Sequence, residues 1–342
     1  MKFLSQITRH FFWKPAGCAP SLELLEASRD VAGKKDVTVA VSGENGPHSL
    51  TVAELPGGKI IGNLRMVATA HDVVVGGLQS LYGCAEPQNH YLFKRRRFRM
   101  AKYRRGTALL LGASNSDNYY HWLLDSLPRW KMLQAAGWAN YDFVLLHDRP
   151  LGFQDEVLDR LKVPMAKRLR CSKNFVHQFE RLVVPSMPFP PEEIPPWVCT
   201  WVRSLFPEKV PGPEKVYLRR GGGRRRLLNE AELETALRAQ GFVAAQPAQM
   251  TVAEQANMLS SARCIVAPHG AALTNVVFAP PGALFIDLFH PQHTNSALAN
   301  LAKACGHTYA SLAGQVANSA DGKQLEYSID VPTVLRMISE KK

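Results

Sequence analysis

The chain has 342 residues, roughly twice the usual domain size, so two domains able to form a cleft are the first expectation. With 46% hydrophobic and 20% charged residues it has the composition of a folded protein, which excludes long disorder as its organising feature. The net charge of +12 points to polyanionic partners, and it is concentrated in Lys94, Arg95, Arg96, Arg97, Arg99, Lys102, Arg104 and Arg105 and again in Arg219, Arg220, Arg224, Arg225 and Arg226. No recognition helix, zinc spacing or aromatic RNA-binding signature accompanies these runs, so nucleic acid is set aside as a partner.

At the N-terminus Phe3, Leu4, Ile7 and Phe11 share one helical face, with Phe12 and Trp13 beside it and Lys2, Arg9 and Lys14 placed to meet lipid headgroups. Residues 1–14 and the basic patches are therefore a candidate membrane-surface contact, against the plainer reading of a terminal helix docked on the protein's own core. Polar residues interrupt this stretch, which argues against a cleavable signal. The six cysteines form no CxxC pair or metal spacing, as suits reduced thiols and a cytoplasmic protein, peripheral on the inner membrane face if residues 1–14 bind there.

Residues 15–110 offer short extended candidates at Val37 to Val41, Lys59 to Ile61, Val73 to Val75 and Ala108 to Leu111. A polar loop then precedes a helical block from Asn118 to Ala136, which Gly137 ends and in which Pro128 predicts a kink. Tyr141 to Leu146 reads as a strand, Gln154 to Leu161 as a helix and Arg181 to Val184 as a strand, an α/β alternation. Prolines crowd residues 185–213, so a linker is expected at 191–213 around a short helix from Trp197 to Leu205.

Beyond the linker, Val216 to Leu218 is a strand, Asn229 caps a helix with Glu232 at its third position, and Thr251 with Glu254 forms a capping box. Cys264 to Ala267 and Leu284 to Phe289 read as buried strands and Ser296 to Ala304 as a helix, the units of a doubly wound parallel sheet. Val331 to Ile338 is a further helix. The expected domains are an N-terminal acceptor-side α/β domain (1–190), the linker (191–213), a nucleotide-binding Rossmann-like domain (214–311) and a tail with a helix (312–342).

Three blocks carry candidate chemistry. In Asn118-Tyr119-Tyr120-His121-Trp122-Leu123-Leu124-Asp125, His121 and Asp125 lie four apart on one helical face, as a base with a fixed tautomer requires. The bland alternative pairs Asp125 with Arg129. Arg219 to Arg226 encloses a glycine loop between a strand and a helix, where guanidinium groups can fork onto phosphate oxygens, or stand as a solvated basic loop. The run Ala267-Pro268-His269-Gly270-Ala271-Ala272-Leu273-Thr274-Asn275 turns from a strand into a helix, with Gly270 leaving room for a diphosphate and His269 placed to donate to it.

In this order the blocks resemble glycosyltransferase family 61, capsular polysaccharide type, with its N-Y-Y-H-W-x-x-D-x-L-P-R-like, R-x4-R-x-x-N-E-like and H-G-A-x-L-T-N segments. The resemblance implies a GT-B type α/β fold, two Rossmann-like domains facing a central cleft, and inverting transfer from a nucleotide sugar, UDP-linked by expectation, to a glycan or lipid-linked glycan. It makes Asp125 and His121 catalytic candidates, Arg220, Arg225 and Arg226 donor-phosphate candidates, and His269, Gly270, Ala271 and Asn275 the donor turn. Gln255 matches a family glutamine, and Asp287 stands where the family often has glutamate. Asp125 is the preferred base, with His121 orienting it or acting instead. No D-x-D pair stands at a strand end, so neither a metal nor another cofactor is expected. The competing functions are a non-catalytic, membrane-associated polysaccharide assembly protein, and another nucleotide-dependent transferase or a dinucleotide oxidoreductase, the last disfavoured by the missing GxGxxG.

Overall fold

The computed structural model describes residues 12–13, 34–39, 48–64, 66–71, 74–75, 98–189, 193–207, 210–220, 225–293, 295–316 and 325–340. The protein is a mixed α/β chain that divides into two compact units, Met1–Phe189 and Pro190–Lys342.

The first unit is built on β2 (Lys34–Val39), β3 (His48–Pro56), β4 (Lys59–Ile61), β5 (Met66–Ala68), β7 (Ala101–Leu110), β8 (Phe143–His147), β9 (Arg168–Cys171) and β10 (Val176–Pro185). Its main path runs β2-β3-β10-β7-β8-β9, parallel from β10 to β9 and antiparallel where β3 and β4 join β10. The sheet is thus mixed, a departure from the Rossmann-like first domain expected. β3 and β4 line one edge of β10 in succession, and Gly57 between them takes a φ of 65°, open to glycine without strain. β7 changes character along its length: the Lys102, Arg104 and Arg105 half is largely exposed, while Ala108, Leu109 and Leu110 are fully buried between β8 and β10. The chain leaves β7 toward β8 on one side, and β10 flanks it on the other, so strand order reverses at β7.

In the second unit, β11 (Lys215–Leu218), β13 (Val243–Ala245), β14 (Cys264–Pro268), β15 (Leu284–Phe289) and β16 (Thr308–Ala313) form a parallel sheet ordered β13-β11-β14-β15-β16. Taken in chain order this is 2-1-3-4-5, which reverses between β11 and β14. Ligands of open α/β sheets bind outside the carboxyl ends of strands at such a reversal. β14 is buried along its whole length, as its apolar, partly β-branched residues require.

Several expectations change. Phe12–Trp13 is a short strand, β1, paired antiparallel with β6 (Phe98–Arg99), so Phe12 and Trp13 do not continue a helix. Lys2, Phe3, Leu4, Ile7, Arg9, Phe11 and Lys14, with Lys94 to Arg97, Gly221 to Gly223 and Arg224, lie outside the described residues. Of the Val73 to Val75 strand, Val73 lies outside the described residues and Val74 forms an isolated antiparallel bridge to Ala68. The Pro196–Ser204 helix sits in the second unit with Trp197, Val198, Cys199, Trp201 and Val202 buried, because its apolar face packs against the segment that follows β14 rather than bridging through solvent. The tail is likewise built in: Val331, Val334 and Ile338 of the Val331–Glu340 helix join one core with Leu233 and Leu237. Asn229 makes no side-chain cap; its amide instead donates to Ile329 O (2.9 Å) and its oxygen accepts from Ile329 N (3.0 Å), a long-range bond that competes with the local one. The Thr251–Glu254 capping box forms in both directions. Among the described residues no helix is long and apolar enough to cross a membrane.

Candidate functional site

The first site sits just past the carboxyl end of β7. Asn118 caps the helix, its side chain accepting from Tyr120 N at 2.9 Å, and Tyr119–His121 completes one turn. Trp122–Ser126 then widens into a π-turn, with Leu127 N donating to Trp122 O at 2.8 Å, before Pro128 opens the Pro128–Ala135 helix. Proline has no N–H and crowds the carbonyl four residues back, so the wide turn is where the expected kink is taken up. Ser126 and Ser116 hydroxyls lie 2.7 Å apart and Gln154 donates to Ser116 O at 2.7 Å, which ties the wide turn to the loop after β7.

His121 Nδ1 lies 2.6 Å from Asp125 Oδ2. An ionised carboxylate only accepts, so the ring donates from Nδ1 and its lone pair falls on Nε2. Asp125 is nearly buried while His121 is partly exposed. The alternative pairing of Asp125 with Arg129 is not made. Arg129 is fully buried and donates to Gly112 O (3.0 Å) and to Met187 Sδ (2.8 Å). Burial lowers its pKa to about 10, and the charge of Asp125 opposes that fall, so the two balance each other at longer range.

The second site gathers at the 2-1-3-4-5 reversal. Arg219 and Arg220 follow β11, and His269 and Gly270 follow β14. His269 Nδ1 lies 2.8 Å from Asp287 Oδ2 on β15, which also accepts from Tyr309 Oη at 3.0 Å. Asp287 is therefore a buried support for His269, and its Oδ1 is buried without a hydrogen bond. His269 Nε2 is 3.3 Å from Asn295 Nδ2, an amide donor, so donation from that nitrogen to a phosphate needs a second proton on the ring.

Arg220 Nη1 donates to the carbonyl of His269, and a Cβ on Gly270 would stand 2.7 Å from that nitrogen. The glycine thus makes room for the guanidinium. Gly270 leads into the expected helix, which is of the 3₁₀ kind over Ala271–Phe278. Asn275 donates to Gln255 Oε1 (2.6 Å) and Ala272 O (2.9 Å), and Gln255 to Met250 O (3.0 Å), so this buried amide pair braces the turn from behind.

The arginines divide. Arg219 is held by Glu234 through two nitrogens, at 2.6 and 2.5 Å, and that pairing drives the Glu234 carboxyl down to about 2. On β12 (Arg225–Leu227) neighbouring side chains point to opposite faces. Arg226 is exposed and paired with Glu326 at 2.9 Å, while Arg225 is half-buried near Arg220, Asp287 and Tyr327. Burial first, then the charge of Arg225, lowers the Arg220 pKa, and burial lowers that of Arg225. Two incompletely neutralised guanidinium groups side by side favour an anion.

The histidines following β15 carried no signal of their own in the sequence. His290 is 1% exposed, its Nδ1 accepts from Gln292 N at 3.1 Å, and its Nε2 is buried without a hydrogen bond. The His293 ring centroid lies 5.6 Å from that of His269. Among the described residues no group of three or more His, Cys, Asp or Glu is arranged to hold a metal ion.

Both sites therefore present an imidazole whose Nδ1 is held by an aspartate, one beyond β7 and one beyond β14, with arginines around the second only. Residues 119–286 match the family model Glycosyltransferase 61. The Glycosyltransferase 61 match begins beside the Asn118 cap, ends beside Asp287, and takes in His121, Asp125, the Arg220 to Arg226 segment and the His269 turn. It supports glycosyltransferase family 61, and so a glycosyltransferase with a donor and an acceptor glycan to bind, on grounds independent of the site geometry. A comparison with curated proteins found no match to the chain.

Proposed function

We propose that the protein is an inverting, nucleotide-sugar-dependent glycosyltransferase, its two units serving as the two lobes of a GT-B enzyme. The observation that carries this reading is the 2.6 Å His121–Asp125 pair inside the Glycosyltransferase 61 match. His121 Nε2 takes the proton of an acceptor hydroxyl as the hydroxyl oxygen bonds to the sugar's anomeric carbon. On the opposite face the bond from that carbon to the diphosphate breaks, and the diphosphate leaves with the electron pair. Asp125 holds the ring's tautomer and steadies the imidazolium, so the two residues exchange the roles expected from sequence. In the second unit Arg220, Arg225 and His269 receive the departing diphosphate, and Asp287, Gln255 and Asn275 keep that corner in shape.

A UDP-linked donor and a surface polysaccharide or lipid-linked glycan acceptor fit this reading. The charge of +12 supports work beside an anionic membrane face, at the cytoplasmic side. Deleting residues 1–14 should then reduce flotation with anionic liposomes, and unchanged flotation removes that contact. The activity itself is tested by incubating the full chain with a panel of nucleotide sugars and glycan acceptors and measuring nucleotide release. Release with the wild type, lost in a folded His121→Gln variant, is the expected result. Equal release by that variant removes His121 as the base, and no release with any donor favours the non-catalytic alternative.

A further inference from the structure

The sequence motifs stop at the His269 turn, but the structure brings two more imidazoles to the same corner. We infer that His290 and His293 complete the anion site formed by Arg220, Arg225 and His269, and that a diphosphate bound there is taken up together with a proton on His293. This rests on the nucleotide-sugar reading above and names a property of that site.

Arg220 stands at the end of β11, Arg225 on β12, His269 at the end of β14, and His290 and His293 on the segment after β15. His290 presents a buried Nε2 that carries a hydrogen in the neutral ring, since Nδ1 is occupied as an acceptor, and that hydrogen has no protein partner. Such a donor costs stability unless something accepts from it. Tyr327 of β18 (Leu325–Ser328) packs edge-on against the His290 ring at 5.8 Å and gives its own hydroxyl hydrogen to Leu288 O at 2.9 Å. Among the described residues, the carboxylates facing these cations are Asp287 and Glu230, and both are engaged. Asp287 is shared by His269 and Tyr309, while Glu230 accepts from Tyr217 Oη at 3.0 Å and Arg220 N at 3.1 Å.

An empty site of this composition resists any further positive charge. Burial holds the His293 pKa below its ordinary value, and Arg225, His269, Arg220 and His290 add to the effect in that order. For His290, burial and Arg225 act in the same direction. A diphosphate reverses the sign of the local field. The His293 imidazole, whose charged form burial and its cationic neighbours disfavour, then gains a proton and becomes a further donor to the anion. Affinity for the donor is thereby linked to pH, stronger on the acid side of the His293 titration.

Heteronuclear NMR of the imidazole rings in the full chain tests this, with the resonance assigned by its loss in His293→Gln. The rings are titrated from about pH 5 to about pH 8, free and with saturating pyrophosphate or UDP-glucose, and thermal shift reports binding separately. The His293 midpoint should lie below the ordinary histidine value in the free protein and move up by about one pH unit or more when either anion is bound. In His290→Gln the upward movement persists, with weaker pyrophosphate binding. If the anions raise the melting temperature and shift the His269 resonance while the His293 midpoint stays put, the inference fails and the nucleotide-sugar reading stands. If neither anion binds at millimolar concentration, both fail.

Discussion

The two imidazole–aspartate pairs use the same atoms and are built in opposite ways. His121 and Asp125 meet within a single helical segment and need only a cap and a wide turn to face each other. His269 follows the end of β14 and Asp287 lies within the neighbouring parallel strand, so they meet only if β14 and β15 hold register, with Ala267 opposite Asp287. Side-chain exposure follows the same division, 16% and 11% in the first pair against 8% and 2% in the second. A pair made locally near the surface keeps access to solvent and substrate, which suits a group that must accept a proton. A pair made by the sheet is rigid and dry, which suits a fixed wall for a charged ligand.

Kinetics separates the pairs most sharply. His121→Gln should lower kcat by about 10²- to 10⁴-fold with little change in donor KM, the effect of removing a general base. His269→Gln should instead weaken donor binding, by about 10- to 100-fold for the loss of one charge-assisted hydrogen bond. Steady-state kinetics with a competent donor, with nucleotide affinity measured beside it, checks both. If both variants change the same parameter, the division of labour is wrong.

Stability gives the next comparison. Asp287→Ala strands His269 Nδ1 and Tyr309 Oη together in a buried site and should cost about 3–5 kcal/mol in chemical denaturation. Asp125→Ala leaves a partly exposed imidazole that water can satisfy, for a loss of about 1–2 kcal/mol. The reverse order would mean that Arg129, balanced at a distance by Asp125, dominates the first site.

How much of this was legible in the sequence follows the same local and long-range division. The His121–Asp125 face, the Thr251–Glu254 box and the β14 and β15 strands are written in spacings of a few residues, and the chain forms them. β9 is only four residues long, so the charged and apolar alternation of Arg-Leu-Arg-Cys is too short to stand out in the sequence. Its charges are stable in a strand because Arg168 and Arg170 pair with Asp155 of a helix elsewhere in the unit. Asn229 read as a cap until Ile329, far along the chain, claimed both ends of its amide. Arg225 and Arg226 looked equivalent in a run of arginines, and only strand pairing sends one to the site and the other to Glu326. His290 and His293 carry no periodicity, and they join the site because β15 ends beside β14.

The smallest effect probes how far the charge of the sheet-built pair reaches. Tyr309 gives its hydroxyl to Asp287, and its pKa is raised by burial first and then by the charge of Asp287 and the hydrogen bond between them. The sign follows directly: the unfolded phenol loses its proton near its ordinary value of about 10, while the folded one keeps it to higher pH. The contribution is complete below that value and declines as the pH rises toward the folded pKa. The Tyr309 hydroxyl, followed by NMR of the ring carbon that bears it, should accordingly remain protonated past the ordinary midpoint. Asp287→Asn keeps the burial and removes the charge, so the midpoint should fall part of the way back without reaching the free value. No movement would mean that burial alone sets the Tyr309 midpoint, and the contrast between the pairs would then lie in burial and rigidity rather than in the reach of the Asp287 charge.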